Sequence, residues 1–478
     1  MSFELVGDHI ELRKESKRFT VRGRVSVGAA LPGDGDLRSG EHSGGKPKTM
    51  KTLGQSGPMA SIQLISIGSR GDLEPYLALL EELQQRGHSV HLIGSPNFQQ
   101  AAADAGIRFT TLPGDFRELL GSPAGLELLE GKAVRLIDDE RLSHWLEIGR
   151  EAIRGCDLLL AAPLALWAYH LAEAEGCRFG VVSPIPVVGT RAFPFLKWPG
   201  DPEHRRWRGQ LHRVSYEAVR LLGWRRDAKV IQAFRHRQGL PRLPWRGTKA
   251  RRNTPQQLQS PTVLHLFNRH LLARPDDWPA TARITGYCLR TRTTAESYRP
   301  PSDLQRFLEE GPAPIYAGFG SMIPRNPHQL ATVLVDAAQQ ANQRLILSPG
   351  WGRVLPPSAL PSSVFVLEEC PHSWLFPQLE AAVHHGGAGT TASTLCSGLP
   401  STVVAFFADQ PAWGRTLEHL GVSPATHRAT TVTAEALSTS LRAIATNPRF
   451  RQRAKALRDL IRADNGTAAT ADAVEELL

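Results

Sequence analysis

The stretch Ala381-Ala-Val-His-His-Gly-Gly-Ala-Gly-Thr-Thr391 begins as a short apolar run and continues as a glycine-rich turn. This pattern predicts a strand that leads into the first turn of a helix. A helix N-terminus offers unpaired backbone N–H groups and a positive dipole end to an anion, and glycines let the anion approach without a Cβ in the way. Histidine and threonine side chains add donors. The stretch is therefore typical of a diphosphate site, and Asp409-Gln410, about twenty residues on, would then contact sugar hydroxyls.

Alternating apolar strands and amphipathic helices extend to both sides of this stretch. One series runs from Ser61 to Ser183, and a second runs from Pro314 to Ala405 and ends in a helical region at about 447–478. Strands that alternate with helices imply right-handed parallel crossovers. The sequence therefore predicts an α/β protein with two Rossmann-like domains facing each other across a cleft, where ligands bind beyond the carboxyl ends of the strands.

The length of 478 residues exceeds what one hydrophobic core usually serves, which also indicates two domains. Residues 1–58, rich in Gly, Ser, Asp and Lys in their second half, are predicted to be a disordered leader with a short strand pair within 18–31. Residues 59–290 form the predicted N-terminal domain and 291–301 a polar, proline-ended linker. Residues 302–478 form the C-terminal domain, whose last helix packs back on the N-terminal domain.

Composition narrows the functional class. No run approaches the roughly 20 apolar residues of a membrane span, and the N-terminus lacks the apolar core of a secretory signal. The five cysteines are scattered without a Cys-x-x-Cys pair, which argues against a disulfide framework or structural zinc and favours a reducing compartment. We therefore expect a cytoplasmic protein.

The positive charge is concentrated in one segment. Residues 191–252 contain 17 Lys and Arg against 4 Asp and Glu, a local charge of 17 − 4 = +13 out of a total of +10. Tryptophan and phenylalanine residues alternate with the arginines, as in helices that lie on anionic membranes. A solvated helical face is the other interpretation, and nucleic-acid binding is not favoured as the main function.

Several ordered motifs resemble a known family. They are Pro371-His-Ser-Trp-Leu-Phe-Pro377, His384-His-Gly-Gly-Ala-Gly-Thr-Thr391, Gly398-Leu-Pro-Ser-Thr-Val-Val-Ala-Phe-Phe-Ala-Asp-Gln-Pro411 and, in the first half, Ile67-Gly-Ser-Arg-Gly-Asp-Leu-Glu-Pro75. From about residue 60 to 470, the chain resembles the sterol 3-beta-glucosyltransferase and glycopeptide-antibiotic glycosyltransferase group. The resemblance implies a GT-B fold and an inverting, UDP-sugar-dependent enzyme.

The resemblance also implies a role for individual residues. Asp72 would be the general base, and Asp409 and Gln410 would hold hydroxyls of the donor sugar. Related plant enzymes have a stacking tryptophan near the nucleobase where this chain has Glu369. The remaining residues would contact the nucleotide: Ser321, His385, Gly387, Gly389 and Thr390 at the diphosphate, and Trp351, Cys370, Pro371 and His372 in the nucleobase region.

Structural interpretations compete at several of these positions. Asp72, three residues before a proline, is also a good helix N-cap. His384 and His385 could be ordinary turn residues, although the flanking glycines favour phosphate contact for His385 and a packing role for His384. Trp351 could be a core aromatic or line the nucleotide pocket. Asp409-Gln410-Pro411 could simply turn the chain into a helix.

The implied reaction moves a hexose, expected to be glucose from UDP-glucose, to a hydroxyl of a hydrophobic acceptor such as a sterol, terpenoid, lipid or polyketide. A carboxylate takes the hydroxyl proton, and preorganised donors stabilise the leaving diphosphate. Residues 60–470 lack the Asp-x-Asp motif of metal-dependent sugar transferases, so neither a metal nor another cofactor is expected. The alternative is a nucleotide-sugar binder without catalysis. A nicotinamide dehydrogenase is disfavoured because no Gly-x-Gly-x-x-Gly follows a strand.

Overall fold

The structure is a computed structural model of the whole chain. It describes residues 2–6, 9–14, 17–21, 59–68, 70–132, 134–197, 206–247, 261–290, 298–357 and 359–478. At 2–21, 70, 72 and 206–208 only the backbone is described. The chain divides into two units, Met1–Gly57 and Pro58–Leu478.

The first unit contains a three-stranded antiparallel sheet in the part that is described. Its strands are β1 (Ser2–Val6), β2 (His9–Lys14) and β3 (Lys17–Val21), in the order β1-β2-β3. Apolar residues alternate with polar ones along these segments, which is the period expected of strands. The sequence prediction was disorder here, with a strand pair only within 18–31; β3 instead pairs with the preceding β2. The predicted disorder of 22–58 lies outside the described residues.

The second unit begins with a seven-stranded parallel sheet in the order β10-β9-β8-β7-β4-β5-β6. Its strands are β4 (Ser61–Ser66), β5 (Ser89–Gly94), β6 (Arg108–Thr111), β7 (Leu158–Ala161), β8 (Arg178–Ser183), β9 (Thr262–His265) and β10 (Ala282–Ile284). Strands β4, β5, β7 and β8 are almost continuously buried apolar runs, as expected when helices cover both faces of a sheet.

The helices of this half are α1 (Arg70–Gln85), α2 (Gln99–Asp104), α3 (Phe116–Gly121), α4 (Pro123–Leu129), α5 (Asp139–Ala152), α6 (Tyr169–Glu175) and α7 (Arg206–Arg237). Short 3-10 helices occur at Pro96–Phe98 and Pro163–Ala168. Asp115, Ser122 and Asp138 cap α3, α4 and α5 by accepting backbone N–H groups, so these helices begin where the sequence provides an oxygen acceptor.

A six-stranded parallel sheet follows, in the order β13-β12-β11-β14-β15-β16. Its strands are β11 (Ile315–Gly318), β12 (Leu345–Ser348), β13 (Val364–Val366), β14 (Ala381–His384), β15 (Ser401–Ala405) and β16 (Thr426–Arg428). The helices are α8 (Ser302–Glu309), α9 (Pro327–Gln340), α10 (His372–Leu375), α11 (Ala388–Cys396), α12 (Gln410–His419), α13 (Ala434–Thr446), α14 (Pro448–Ala463) and α15 (Gly466–Glu475), with a 3-10 turn at Phe376–Gln378. Two Rossmann-like parallel sheets confirm the predicted α/β class.

Several contacts join the halves of the second unit, including a returning helix and an apolar cluster. The last helix, α15, returns to the first half, where Ala471 and Val474 are buried in the core beneath α1. Arg86 anchors this helix by pairing with Asp472 at 2.6 Å. An apolar cluster joins the halves nearer the cleft, with the rings of Phe267 and Trp413 in edge contact at 5.8 Å. In the described part of the chain, no helix combines the length and the apolar character that a bilayer crossing requires.

Candidate functional site

The carboxyl end of the six-stranded sheet forms the floor of the candidate site. Strand β11 has β12 on one side and β14 on the other, so the loops that follow these strands diverge from a switch point. Three turns meet there. A Cβ on Gly350 would clash with the carbonyl oxygen of Gly320, and the Trp351 N–H donates to that same oxygen at 2.8 Å. The turns after β11 and β12 are thus fixed to each other, next to the glycine turn after β14.

The glycine turn opens a helix, as the sequence predicts. Gly387 is the N-cap of α11, with an extended backbone and no side-chain cap. No acidic residue occurs in the first turn. The amides of Ala388, Gly389 and Thr390 therefore keep their donor capacity and the helix keeps its positive end. Inside the turn, the Thr391 hydroxyl is buried and without a hydrogen-bond partner among the described residues.

His385 lies over this turn. Its ring covers Gly387, where an added Cβ would clash with Nε2, and a Cβ on Gly320 would lie 3.7 Å from its Cε1. Nδ1 is buried and has no partner among the described residues. Burial, and next the neighbouring His372, lower the pKa of His385 to about 4. The ring is therefore a neutral donor that can accept a proton when an anion arrives.

His384 shapes the turn instead of facing the cleft. Its ring is fully buried, Nδ1 accepts the Gly386 N–H at 3.1 Å, and Nε2 lies 3.1 Å from the Ser401 hydroxyl. Burial lowers its pKa to about 3, so the ring is neutral. These bonds hold Gly386 at φ 82°, a conformation that favours glycine. His384 has the packing role that its sequence context suggested.

The first turn of α1 meets the glycine turn from the other half. A Cβ on Gly389 would lie 2.8 Å from the carbonyl oxygen of Gly71. That oxygen lies four residues before Pro75, which is inside the helix and has no N–H to donate to it. The close approach therefore requires a glycine at position 389. On the other side it uses the Gly71 carbonyl, which accepts no helical hydrogen bond from Pro75.

Asp72 follows Gly71 in this first turn, and its side chain is outside the described part of the chain. Since α1 begins at Arg70, Asp72 lies inside the helix and is not its N-cap. The capping interpretation was therefore wrong, because the helix starts earlier than its apolar periodicity indicates. The backbone places Asp72 beside the start of α11, across the cleft from the glycine turn.

The sequence-predicted nucleobase residues lie along the turns after β12 and β13. Trp351 is half-buried and packs against the core of the second half, so part of its ring stays accessible. Pro371 is the N-cap of the short helix α10. The His372 ring stacks on Phe376 at 4.2 Å, which fixes its orientation. Cys370 is half-buried, and burial raises the pKa of its thiol.

Ser321 and the Asp409-Gln410 pair complete the set. Ser321 is buried just after β11. Asp409 is half-buried at the N-cap position of α12, where its side chain makes no capping hydrogen bond. The Gln410 amide is already used: Oε1 accepts the Phe406 N–H at 2.8 Å, and Nε2 lies 3.2 Å from the sulfur of Met322. The structure thus brings both residues to the site, with Gln410 holding the loop after β15.

Sequence reasoning missed two features. The Gly71–Gly389 approach depends on the pairing of two turns about 320 residues apart, and only the unusual Pro75 inside a helix signalled it. Cys156 and Cys177 lie within hydrogen-bonding reach of each other, and that contact and burial raise the pKa of the Cys156 thiol well above its usual range. The 20 intervening residues gave no sign of this pair, which lies at the amino ends of β7 and β8.

Two protein-family models match the chain, one in each half of the second unit. Residues 62–194 match the glycosyltransferase family 28 N-terminal domain. Residues 333–477 match the C-terminal domain of erythromycin biosynthesis protein CIII-like proteins. Among solved structures, the chain is similar to the kitacinnamycin glycotransferase (TM-score 0.64, 23% identity, covering 88% of this chain and 100% of that one). It is also similar to the glycosyltransferase VinC in complex with dTDP (TM-score 0.59, 18% identity, covering 87% and 99%).

Curated relatives are more similar in sequence. Sterol 3-beta-glucosyltransferase UGT80B1 of Arabidopsis thaliana is 31% identical over 89% of this chain and 69% of its own length. UGT80A2 of the same plant is 32% identical over 77% of this chain, which spans 58% of that relative. The sterol 3-beta-glucosyltransferase of Leptosphaeria maculans is 30% identical over 85% of this chain, which spans 28% of that relative. The chain belongs to the sterol 3-beta-glucosyltransferase family of GT-B glycosyltransferases.

Proposed function

We propose that this chain transfers glucose from UDP-glucose, with inversion, to a hydroxyl of a hydrophobic acceptor of the sterol class. The observation that carries the proposal is the contact between the first turn of α1, which contains Asp72, and the glycine turn that opens α11. This contact supports the proposal because the segment with the proposed base and the segment with the proposed diphosphate site lie side by side. The names of the curated relatives support glucose and a sterol.

The donor diphosphate would bind at the start of α11. In this proposal the amides of Gly389 and Thr390, the Ser321 hydroxyl and His385 would contact the diphosphate. An anion there would provide a partner for His385 and raise its pKa from about 4 toward neutrality. Preorganised donors of this kind stabilise the charge that grows on the leaving group. We propose that they do so without a metal ion.

The acceptor would react from the side of α1. Its hydroxyl oxygen forms a bond to the anomeric carbon while the bond from that carbon to the diphosphate oxygen breaks. The hydroxyl proton passes to the Asp72 carboxylate, and the nucleoside diphosphate leaves with the electron pair. General-base assistance of this kind typically contributes about 10²–10⁴-fold in rate. Attack opposite the leaving group gives inversion at the anomeric carbon.

The loop after β15 would hold the sugar. We assign the hydroxyl contacts to Asp409, while Gln410 fixes the loop through its bonds to Phe406 and Met322. Trp351 and the turn Cys370–His372 would contact the nucleobase. The five cysteines are free thiols, which supports a reducing, cytoplasmic location.

Two variants test this proposal with UDP-glucose and a detergent-dispersed sterol. We expect Asp72→Asn to bind UDP as the parent does and to lose at least about 100-fold in kcat. His385→Ala should weaken UDP binding about tenfold or more, because it removes a hydrogen bond to a charged group. His419→Ala, an exposed histidine at the end of α12, is the control and should change neither quantity.

The outcomes separate catalysis from binding alone. Unchanged turnover in Asp72→Asn would remove this carboxylate from the mechanism. UDP binding by the parent with no transfer to any hydroxylated acceptor would favour the alternative, a nucleotide-sugar binder. Undiminished UDP affinity in His385→Ala would exclude this ring from the diphosphate site.

A further inference from the structure

A basic and apolar surface lies on helix α7 and on the segment that follows it. At 100° per residue, Val214, Leu222, Arg225 and Lys229 fall within an arc of about 80° on the helix. All four are exposed, with Val214 at 50% and Leu222 at 45% of their full surface. A solvated helical face rarely exposes large aliphatic side chains between cations, so this arc resembles the surface of a helix that lies on a membrane.

The segment after α7 adds an exposed tryptophan to this surface. Trp245 is 62% exposed, and its backbone is fixed because its carbonyl accepts the Trp224 indole N–H at 3.0 Å. The Arg246 guanidinium lies 4.5 Å from the centre of its ring and that of Arg225 lies 5.8 Å away. Between this segment and α7 runs a groove of about 510 Å³, also lined by Lys229.

The cations around the groove have no acidic partner among the described residues. Elsewhere on α7, Arg220 pairs with Glu217 and Arg235 with Glu173. By contrast, no carboxylate of the described residues pairs with the four cations around the groove, which are Arg225, Lys229, Arg242 and Arg246. These four cations lie beside exposed Trp245 and Leu222. Such a surface is complementary to a membrane, in which a layer of phosphate headgroups covers an apolar interior.

The surface is also close to the acceptor side of the cleft. On the buried side of α7, the Tyr216 ring contacts Phe195 at 5.4 Å. Phe195 lies in the loop that follows the carboxyl end of β8, where ligands of such sheets bind. A membrane under the exposed side of α7 would therefore lie near the entrance for an acceptor.

We propose that this surface, Val214–Arg246, docks the protein on the anionic headgroups of a membrane. The phosphates bind at Arg225, Lys229, Arg242 and Arg246, while Trp245 and Leu222 enter the interface. The proposal rests on the proposed function for its purpose, because a sterol acceptor resides in the bilayer. Its test needs no turnover, so its failure is separable from failure of the transferase assignment.

Vesicle flotation of the full chain tests the proposal. At 0.1 M salt we expect the protein to float with phosphatidylcholine vesicles that contain 30% phosphatidylserine, and not with pure phosphatidylcholine. Arg225→Glu/Lys229→Glu should lower the bound fraction at least about tenfold, since each basic side chain near an anionic surface contributes about 1 kcal/mol. Trp245→Ala should lower it without altering its salt dependence. Arg449→Glu/Lys455→Glu, an equal charge change on exposed positions of α14, should bind as the parent does.

Equal flotation with both vesicle types, or with neither, would overturn the proposal. So would equal loss in the α7 and α14 variants, which would indicate a response to net charge alone. Binding of duplex DNA in place of vesicles, lost in the α7 variant, would assign the surface to nucleic acid instead. The α7 variant should unfold at the same temperature as the parent, and this measurement establishes that it is folded without relying on glucosyl transfer.

Discussion

Gly389→Ala is the sharpest perturbation of the contact between the two helix starts. The added methyl group would lie 2.8 Å from the Gly71 carbonyl oxygen, about 0.6 Å inside the ordinary contact distance of 3.4 Å. Its neighbour is backbone in the first turn of a helix, so a side-chain rotation cannot relieve the overlap. The first turn of α1, and Asp72 with it, must move by about half an ångström away from the start of α11.

The magnitude follows from the sensitivity of reactions to alignment. A displacement of about 1 Å between reacting groups can cost about 10²-fold, so half of that predicts a loss of about tenfold in kcat. UDP affinity should change much less, because the amides of α11 remain in place. The measurement is kcat at saturating UDP-glucose together with UDP binding by calorimetry.

A matched glycine provides the control. Gly223 lies inside α7, and an added Cβ there meets nothing within 4 Å. Gly223→Ala should leave kcat unchanged and stabilise the helix by about 0.5–1 kcal/mol. If Gly389→Ala turns over like the parent, the close approach of the two turns is not needed for transfer. If UDP affinity falls as much as kcat, the glycine serves donor binding and not alignment.

Three further predictions concern stability and metal dependence. Arg235→Ala should lower the free energy of unfolding in urea by about 3–5 kcal/mol, because it leaves the carboxylate of a buried ion pair without its partner; a loss below about 1 kcal/mol would contradict this. Burial lowers the pKa of His170, His265 and His384 to about 3, below their unfolded value of 6.5. The unfolded state therefore binds protons first, so the contribution of these histidines to the free energy of unfolding is intact above pH 6.5 and is lost as the pH falls toward 3. Between pH 7 and 5.5 the free energy of unfolding should fall by about 1 kcal/mol for each of these histidines, and a flat urea profile would count against it. Finally, kcat should be the same in excess EDTA as in its absence, whereas a loss restored by a divalent cation would require a metal in the mechanism.

Much of the fold was predictable because the central strands are strongly patterned. Strands β4, β5, β7 and β8 are apolar runs between turn residues, and the sequence places each within a residue or two. Strand β9, which lies beside β10 in the sheet, was missed. The edge strands β6, β10 and β16 were missed as well. They are only three or four residues long and include charged, exposed positions, so no apolar run marks them. Their pairing is decided by the neighbouring strand, which a local pattern does not contain.

The site was predictable where its chemistry is local. A glycine turn before a helix signals a place for an anion whatever surrounds it, and the structure has that turn at Gly386–Gly389. The role of Gln410 was less visible, because its amide is taken by Phe406 N–H from its own loop. A polar side chain in a motif can hold the loop as readily as it can hold a ligand, and only the tertiary structure separates the two.

The two helix starts in the cleft also differ in charge, and this difference supports the proposed location of the donor. Each N-terminus carries about half a positive charge, so two of them in contact repel unless anions are present. Helix α1 brings its own anion, since Asp72 lies in its first turn. Helix α11 has no acid in its first turn and a glycine at its N-cap. Its positive end is therefore left for a ligand, which supports the proposal that the diphosphate binds at α11 and the hydroxyl attacks from α1. By the same reasoning, donor binding removes the repulsion between the two turns, so we expect UDP-glucose to favour the closed contact between Gly71 and Gly389 that the acceptor then requires.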